Sequence, residues 1–425
     1  MRLIADLHIH SRFSRATSPQ MDLPQLALWA RRKGIDILGT GDFTHPLWYK
    51  TLGQSLISQG NGLYCYDKVL FMLTAEISCI WSQESRVRKI HLLLFTPSLQ
   101  NVELINCELS KIGNLAADGR PILGISATKA AETIWSVSPQ TVIIPAHAWT
   151  PWFSVFGAKS GFDSLAECFG PLSNNIFAIE TGLSSDPPMN WRLSSLDRIS
   201  LISNSDAHSL ANLGREANVF DLPEASFVNI ITAIKDKDQT QFVYTIEFFP
   251  AQGKYHYDGH RACDRCFAPQ ETIALSNICP VCGKELTIGV MHRVEELADR
   301  MEAEVNKNGI PLSENVIPYR SLIPLQEIIA QAFKVGVKTK RVEKEYLRLI
   351  EYYGSEFRIL LDLAAEELKA AVPPSIRHGI MQIRCGNVEI LPGYDGVYGK
   401  IKITPAEETC RQRTLIDDRS LEEVL

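Results

Sequence analysis

Short apolar segments recur along the first 250 residues, and an amphipathic stretch separates each segment from the next. One such stretch, Leu23–Lys33, has Asp22 as a helix N-cap and Gly34 as a C-terminal stop. Continuous apolar strands that alternate with helices are typical of a parallel α/β sheet covered on both faces. A series of this length predicts a barrel. The predicted strands are Leu3–Ile9, Ile35–Thr40, Val69–Ile77, Ile90–Phe95, Thr141–Pro145, Ile176–Ile179 and Ile199–Ile202.

Side chains that bind metals accompany these predicted strands. His8 and His10 flank one residue on the first strand, so both point to the same side, about 6–7 Å apart. The other candidates lie at or near the ends of later strands: Asp42, His45, Glu76, His91, His147, Asp206 and His208. Because barrel enzymes place their active sites at the carboxyl ends of the strands, this set predicts one site at that rim.

The chemistry of these side chains indicates a site with more than one metal. Imidazole together with carboxylate suits Zn, Mn or Fe better than Mg alone. Even if only one of Asp42 and His45 is a ligand, the candidates outnumber the ligands of one ion, so we expect two to three divalent ions (Zn, Mn, Fe or Mg). Such a cluster activates a water and stabilises the attacking and leaving oxygens in line, which predicts phosphoester hydrolysis. Asp206, His208 and Glu76 are the candidate catalytic residues.

Charge and hydropathy narrow the class of protein. The net charge of −6 does not indicate a nucleic-acid-binding protein by itself. No stretch approaches the roughly 18 uncharged apolar residues of a transmembrane helix. The first ten residues, MRLIADLHIH, carry Asp6 and two histidines where a signal peptide needs an apolar core. We therefore expect a cytoplasmic protein with no membrane partner.

Four of the ten cysteines form two close pairs with the spacing CDRC–x12–CPVC. In a reducing compartment, paired cysteines of this spacing indicate a zinc ribbon and not disulfides. Four thiolates would fill all positions of a tetrahedral ion, so we expect one structural zinc without a catalytic role. Its predicted ligands are Cys263, Cys266, Cys279 and Cys282.

The metal-binding set resembles the PHP (polymerase and histidinol phosphatase) family of metal-dependent phosphoesterases. The motifs of that family are met here by DLHIH, GDFTH, AEIS, KIHLLLF, PAHAW and SDAHS, within residues 1–250. The resemblance implies a distorted seven-stranded β/α barrel with a trinuclear site. The chain departs from the pattern in SRFSRATS, which lacks the family's further His or Asp. It departs again at Phe43, so that either Asp42 or His45 could be the ligand.

Essentially the whole chain resembles the endonuclease Q family, in which a PHP barrel precedes a four-cysteine ribbon and a helical segment with a YDGVYGKI-type turn. HSRFSRATS, SSDPPMNWRLSSLD and LGREANVF contribute to the resemblance. It implies a DNA repair endonuclease that cuts on the 5′ side of uracil, hypoxanthine or xanthine, and at abasic sites. DNA containing deaminated bases is then the expected partner.

Candidate DNA contacts lie near the predicted metal rim. Arg12 and Arg15 follow the first strand, where a guanidinium can meet a phosphate. The loop after His147 carries aromatic side chains suited to stacking on an extruded base. Surface arginines, a packed lid and a plain hairpin are the structural alternatives for these residues. The candidates in this loop and in the glycine-rich turn are Trp149, Trp152, Phe153, Lys159 and Lys400.

These features predict four parts and leave two alternative functions open. The parts are the barrel (1–250), the ribbon (251–292), a helical and short-strand DNA-binding region (293–405) and an acidic flexible tail (406–425). A PHP phosphatase acting on a small phosphate monoester would leave the ribbon and the last 130 or so residues without a role. A metal-free, non-catalytic nucleic-acid-binding scaffold conflicts with the retained ligand set. In the tail, residues 412–415 weakly resemble the start of a sliding-clamp peptide.

Overall fold

The first part of the chain is a mixed α/β structure in which buried strands alternate with helices. The structure is a computed structural model that describes residues 1–307, 310–311 and 316–404, so the predicted tail and clamp peptide lie outside the described residues. The strands of this part are β1 (Arg2–Asp6), β2 (Ile37–Gly39), β3 (Ile57–Ser58), β4 (Tyr64–Tyr66), β5 (Val69–Gln83), β6 (Arg86–Thr96), β7 (Ile122–Leu123), β8 (Val142–Pro145), β9 (Ala178–Glu180), β10 (Ser200–Ile202), β11 (Ala217–Asp221) and β12 (Phe242–Glu247). The helices are α1 (Leu23–Lys33), α2 (Pro46–Ser55), α3 (Leu99–Ser110), α4 (Ala127–Val137), α5 (Leu165–Phe169), α6 (Pro187–Trp191) and α7 (Phe227–Asp236).

The strands do not all run parallel, in contrast to the prediction. β1, β2 and β5 are parallel neighbours, whereas β6 is antiparallel to both β5 and β8, and β11 is antiparallel to β1. The cause is local: β5 and β6 are joined through Glu84 and Ser85, whose φ angles are 51° and 62°. Two left-handed residues form the tight turn that joins antiparallel neighbours. The predicted apolar strands are present, but their directions are mixed.

The sheet is not closed into a complete ring. Ladders run from β1 through β2, β5 and β6 to β8, and β9 pairs only with β10. Backbone hydrogen bonds bridge the two interruptions at their edges: Ala148 N donates to Glu180 O (2.9 Å), and His10 N donates to Ala207 O (3.0 Å). Both bonds lie just beyond strand ends, so the segments that follow the strands meet at one rim despite the open ladders.

The cysteine-containing part follows β12 and is small. It contains β13 (Asp258–His260), β14 (Arg265–Phe267), α8 (Pro269–Ala274), α9 (Val290–Leu297), α10 (Glu302–Val305), β15 (Asn306–Lys307) and β16 (Ile310–Pro311). β17 (Tyr319–Ser321) then pairs in parallel with β12, which returns the chain to the main sheet. No helix of the described ranges is long and apolar enough to span a bilayer.

The last described part is mainly helical and packs against the first. Its elements are α11 (Leu325–Phe333), α12 (Lys340–Tyr353), α13 (Ala365–Leu368), α14 (Pro374–Arg384), β18 (Val388–Leu391) and β19 (Lys400–Ile403). Trp29 on α1 stacks on Tyr346 of α12, with ring centroids 6.2 Å apart. The buried Lys33 Nζ lies 2.9 Å from Glu356 Oε2. These contacts join the helices to the α/β part through a buried interface.

Candidate metal centre

The segments that follow the strands bring six metal-binding side chains together. His8 and His10 follow β1, His147 follows β8, and Asp206 follows β10. The remaining two, Glu76 and His91, extend from inside the long strands β5 and β6. The His8 and His10 rings are 5.3 Å apart, as expected for side chains on the same side of an extended segment.

These side chains form two groups that share one carboxylate. Donor atoms of the first group (His8, His10, Glu76 and Asp206) lie within 4.8 Å of one another, as do those of the second (Glu76, His91 and His147). Glu76 Oε2 lies 3.2 Å from His10 Nε2, and Glu76 Oε1 lies 2.6 Å from His91 Nδ1. The two oxygens of Glu76 thus face different groups, which is the arrangement of a bridging carboxylate.

The donor atoms of the first group fit a divalent metal. His8 Nε2, His10 Nε2 and Asp206 Oδ1 are buried and have no hydrogen-bond partner among the described residues. Buried polar atoms without partners are costly, so three of them directed at one point need an explanation. Imidazole nitrogens combined with carboxylate oxygens are the ligands that Zn, Mn and Fe accept. A bound cation would satisfy all three atoms at once.

Carboxylates behind the first group fix the orientation of both its imidazoles. His8 Nδ1 lies 3.0 Å from Glu180 Oε1, and His10 Nδ1 lies 3.0 Å from Asp42 Oδ1. Burial alone would raise the pKa of Asp42, but His10 and donors from Ser11 hold that pKa below its ordinary value. With Nδ1 bound to a carboxylate, each ring presents Nε2 to the site.

Three predicted ligands lie outside the two groups. Asp42 contacts the first group only through His10, and its other oxygen accepts a hydrogen bond from Ser11 N (2.6 Å). His45 stacks on Phe13 with ring centroids 4.4 Å apart, and its Nδ1 has no partner among the described residues. His208 lies beside the first group, with its ring centroid 4.4 Å from that of His10. Of the alternatives Asp42 and His45, the structure places Asp42 against a histidine of the site.

Strained backbone marks three of the segments at the rim. Asp42, His147 and Asp206 have φ angles of 50°, 30° and 46°, a region that residues other than glycine rarely adopt. Such strain persists only where the surroundings enforce it, and it concentrates at functional sites. Opposite His147, Gly182 also has a positive φ (62°), and a Cβ there would lie 2.5 Å from His147 Cβ. Only glycine leaves room for this histidine.

Two residues that contact the candidate metal ligands were not predicted from the sequence. Glu180, which orients His8, directly follows the predicted strand Ile176–Ile179, so its position at the rim was a usable signal. Arg120 donates from Nη1 to Glu76 Oε2 over 3.0 Å. It lies in the connection that precedes β7, and no spacing or motif distinguishes it there.

A cleft of about 880 Å³ opens over the two groups. One wall belongs to the rim and includes Arg15, Trp152 and Phe153, together with His91, His147 and Asp206. Further lining residues, among them Lys254, Tyr255 and Tyr398, come from the segment after β12 and from the turn before β19. Trp152 is 45% exposed, and its ring centroid lies 6.3 Å from that of Tyr255. The cleft is thus charged at its floor and aromatic at its sides.

The other candidate DNA contacts are placed differently. Trp149 does not offer a stacking face, because its ring is 1% exposed and its Nε1 donates to Asn190 Oδ1 (2.8 Å). Arg12 is half exposed, with Nη1 3.7 Å from Asp22 Oδ2. Lys159 and Lys400 are exposed and lie outside the cleft lining of the described chain.

Three of the four predicted zinc ligands lie in one compact group of donor atoms, which also contains His260. His260, Cys263, Cys279 and Cys282 have donor atoms within 4.8 Å of one another, and Cys266 is not part of this group. Cys266 lies on β14, where it pairs with Gly259, so the strand holds it away from the knuckle. His260 ends β13, and its Nδ1 lies 3.4 Å from Cys282 Sγ. Three thiolates and one imidazole also complete a tetrahedral zinc site.

We expect the double replacement of Cys263 and Cys282 by Ser to release one zinc per chain and to destabilise this region, because structural zinc binding is folding free energy. His260→Ala should weaken zinc binding as well, whereas Cys266→Ser should leave the zinc content unchanged. Elemental analysis of the three variants measures this directly. Zinc loss in Cys266→Ser together with retention in His260→Ala would instead support the four-cysteine set.

Comparison with known proteins identifies relatives along the whole chain. A family model described as the MJ0043 C-terminal domain matches residues 324–387. The uncharacterised protein YqxK of Bacillus subtilis (strain 168) is 31% identical over 419 residues, which cover 94% of this chain and 99% of YqxK.

Two solved structures match in fold and in sequence. The lesion-specific endonuclease PfuEndoQ from Pyrococcus furiosus aligns with a TM-score of 0.85 and 33% identity, over 99% of this chain and all of that one. Endonuclease Q in complex with a 27-mer duplex substrate, with an abasic lesion at the active site, aligns with a TM-score of 0.82 and 33% identity. That match covers 98% of this chain and 100% of the other. Full-length agreement at this identity shows that the chain belongs to the endonuclease Q family.

Proposed function

We propose that this protein is a metal-dependent DNA repair endonuclease. It hydrolyses the phosphodiester on the 5′ side of deaminated bases (uracil, hypoxanthine and xanthine) and at abasic sites. The observation that carries the proposal is the shared carboxylate of Glu76, which joins two groups of buried donor atoms at the floor of a cleft. The likeness to an endonuclease Q bound to duplex DNA with an abasic lesion supports DNA as the substrate.

Two divalent ions fit the donor groups. His8, His10, Glu76 and Asp206 would hold one, and Glu76, His91 and His147 would hold the other. When bound, such ions activate a water and neutralise charge on the attacking and leaving oxygens. Glu180 and Asp42 hold the imidazoles of His8 and His10 in a fixed orientation by hydrogen bonding to the Nδ1 atoms of these histidines.

Three further side-chain roles at the site are to orient the attacking water, to neutralise a ligand carboxylate and to pass a proton to solvent. The Asp206 side chain is buried on one side and 23% exposed overall, so its carboxylate reaches the cleft and can orient an attacking water. Arg120 neutralises Glu76 from the cleft side, with Nη1 3.0 Å from Oε2. His208 lies next to Asp206, with its Nδ1 2.9 Å from Asp206 O, and is the candidate for passing a proton to solvent.

The aromatic walls of the cleft support recognition of an altered base. A mispaired or deaminated base unstacks at a cost lower by up to a few kcal/mol than that of a matched base, which provides part of the selectivity. Trp152 is exposed in the cleft and offers ring surface on which such a base can stack, and its ring is in edge contact with that of the partly exposed Tyr255. Several backbone N–H groups of the Trp149–Gly161 loop already donate to acceptors within the protein. The remaining N–H groups of this loop are the candidate donors for the carbonyl that replaces the lost amine.

Incubation of the full chain with an end-labelled duplex carrying one deoxyuridine or deoxyinosine tests the proposal. With Mg²⁺ or Mn²⁺ we expect one nick on the 5′ side of the lesion, leaving 3′-hydroxyl and 5′-phosphate ends, with no free base. The matched undamaged duplex is the control substrate. Release of free uracil would indicate a glycosylase, and equal cutting of both duplexes would indicate a general nuclease. Hydrolysis of a phosphate monoester without nicking would favour the phosphatase alternative.

A further inference from the structure

Arg215 is a charged side chain of the cleft that the proposed reaction leaves without a role. It belongs to the segment LGREANVF. It lies two residues before β11 and nine residues after Asp206. Its side chain lines the same cleft as His147 and Asp206. Its position at the floor of the cleft places it among the groups that a bound substrate would meet.

Hydrogen bonds join Arg215 and the residue before it to the segment that carries Asp206. Arg215 Nε donates to Ser205 O over 2.9 Å. The buried carboxylate of Asp6 connects the same two segments, because its oxygens accept from Ser205 N (3.0 Å) and Gly214 N (2.9 Å). The plane of the guanidinium is therefore held in a defined orientation beside Asp206 before any substrate arrives.

The two terminal amino groups of the Arg215 guanidinium are available to a ligand. Across the described ranges, neither terminal amino group of Arg215 has a hydrogen-bond or ion-pair partner; only Nε is engaged. The two other arginines of the cleft are already paired, Arg120 with Glu76 (3.0 Å) and Arg15 with Asp118 (3.2 Å). Arg215 differs from both in that no carboxylate of the described residues forms an ion pair with it, so its charge is not already neutralised by a side-chain partner.

A guanidinium remains charged at any physiological pH, and its planar fork matches the oxygens of a phosphate in a bidentate manner. Carboxylates also accept such a fork, and four lie near Arg215 (Asp6, Asp206, Glu216 and Glu327), but none forms an ion pair with it among the described residues. Asp6 accepts from backbone N–H groups and Asp206 faces the histidines. Burial raises the pKa of Glu216 and of Glu327 above the ordinary range, which disfavours the charged form that would attract the guanidinium. We propose that Arg215 is a substrate-positioning residue that binds one backbone phosphate of the DNA, donating both terminal amino groups to its non-bridging oxygens. This inference rests on the proposed function and names the contact that places the strand over the metal centre.

The first test is the salt dependence of binding to a duplex with one non-hydrolysable abasic analogue, measured with the full chain in Ca²⁺. Each phosphate contact contributes about 0.9 to the slope of log K against log salt concentration. We expect Arg215→Ala to reduce the slope by that amount and Arg215→Lys to restore it without restoring the affinity, since an ammonium lacks the fork. Arg198→Ala, at an exposed arginine before β10, is the matched control and should leave the slope unchanged. An unchanged slope in Arg215→Ala would overturn the inference.

The second test places the contact on the DNA and begins with the wild-type chain alone. Methylphosphonates that neutralise one phosphate at a time are introduced around the lesion. In the wild-type chain, one position should weaken binding by about tenfold, the scale of a hydrogen bond to a charged group. The same position should cause no further loss in Arg215→Ala. Additive losses at every position would overturn the inference. Failure of the wild-type chain to nick lesion DNA would count against the proposed function and would be seen separately.

Discussion

Asp206→Asn is expected to lower the rate of lesion cleavage by a factor of about 10³ or more, the scale expected when a charge-stabilising group of a metal centre is lost. The substitution keeps the size of the side chain but removes the negative charge that faces both His8 and His10. Burial alone would raise the pKa of Asp206, but the two histidines hold it far below its ordinary value, so the carboxylate is ionised at any working pH. An amide cannot replace that charge.

DNA binding should survive this substitution, because contacts with phosphates elsewhere along the duplex supply most of the affinity. Single-turnover cleavage and equilibrium binding of a deoxyuridine duplex, measured on the same preparations, separate the two effects. Asp236→Asn, at an exposed position in α7, is the matched control and should behave as wild type. Near-normal cleavage by Asp206→Asn would exclude Asp206 from the reaction.

Strand positions were accessible from the sequence, whereas strand directions were not. Strand β5 begins with an uninterrupted apolar run, Val69–Leu73, because both of its faces are largely buried there, and that run is visible in the sequence alone. The direction of β6 depends on the two residues Glu84 and Ser85, which adopt left-handed angles without being glycine or asparagine. Neither residue type signals a tight hairpin, so the parallel arrangement was the natural but incorrect expectation.

The clustering of candidate metal ligands was predictable for a related reason. A His or Asp that follows a buried strand has few structural uses, so a series of them indicates a shared site. Which of them reach the centre depends on backbone conformation: Asp42 turns behind His10, and His45 stacks on Phe13 instead. Likewise, the spacing of Cys266 predicted a zinc ligand, whereas in the structure Cys266 lies outside the compact donor group and His260 lies inside it. Such exchanges are decided by tertiary contacts that spacing does not encode.

The interface between the helical part and the α/β part contains a buried ion pair that the sequence did not indicate. Lys33 is 2% exposed at the end of α1, and its Nζ lies 2.9 Å from Glu356 Oε2. The same carboxylate accepts from Leu325 N and from the Tyr346 hydroxyl, each over 2.9 Å. One glutamate therefore links α1, α11 and α12, and this buried network anchors the helical part to the α/β part.

Lys33→Met is expected to destabilise this interface by about 3–5 kcal/mol, the usual cost of leaving one member of a buried ion pair without its partner. Methionine fills most of the volume of lysine, so the loss would come mainly from the uncompensated charge of Glu356. Adding Glu356→Gln to Lys33→Met should recover part of the stability, because the amide oxygen still accepts from Leu325 N and no buried charge remains. Urea denaturation midpoints of the single and double variants measure this, with the exposed Lys50→Met as the matched control. A double variant less stable than Lys33→Met would show that Glu356 stabilises the interface through its hydrogen bonds more than it costs as an unpaired charge.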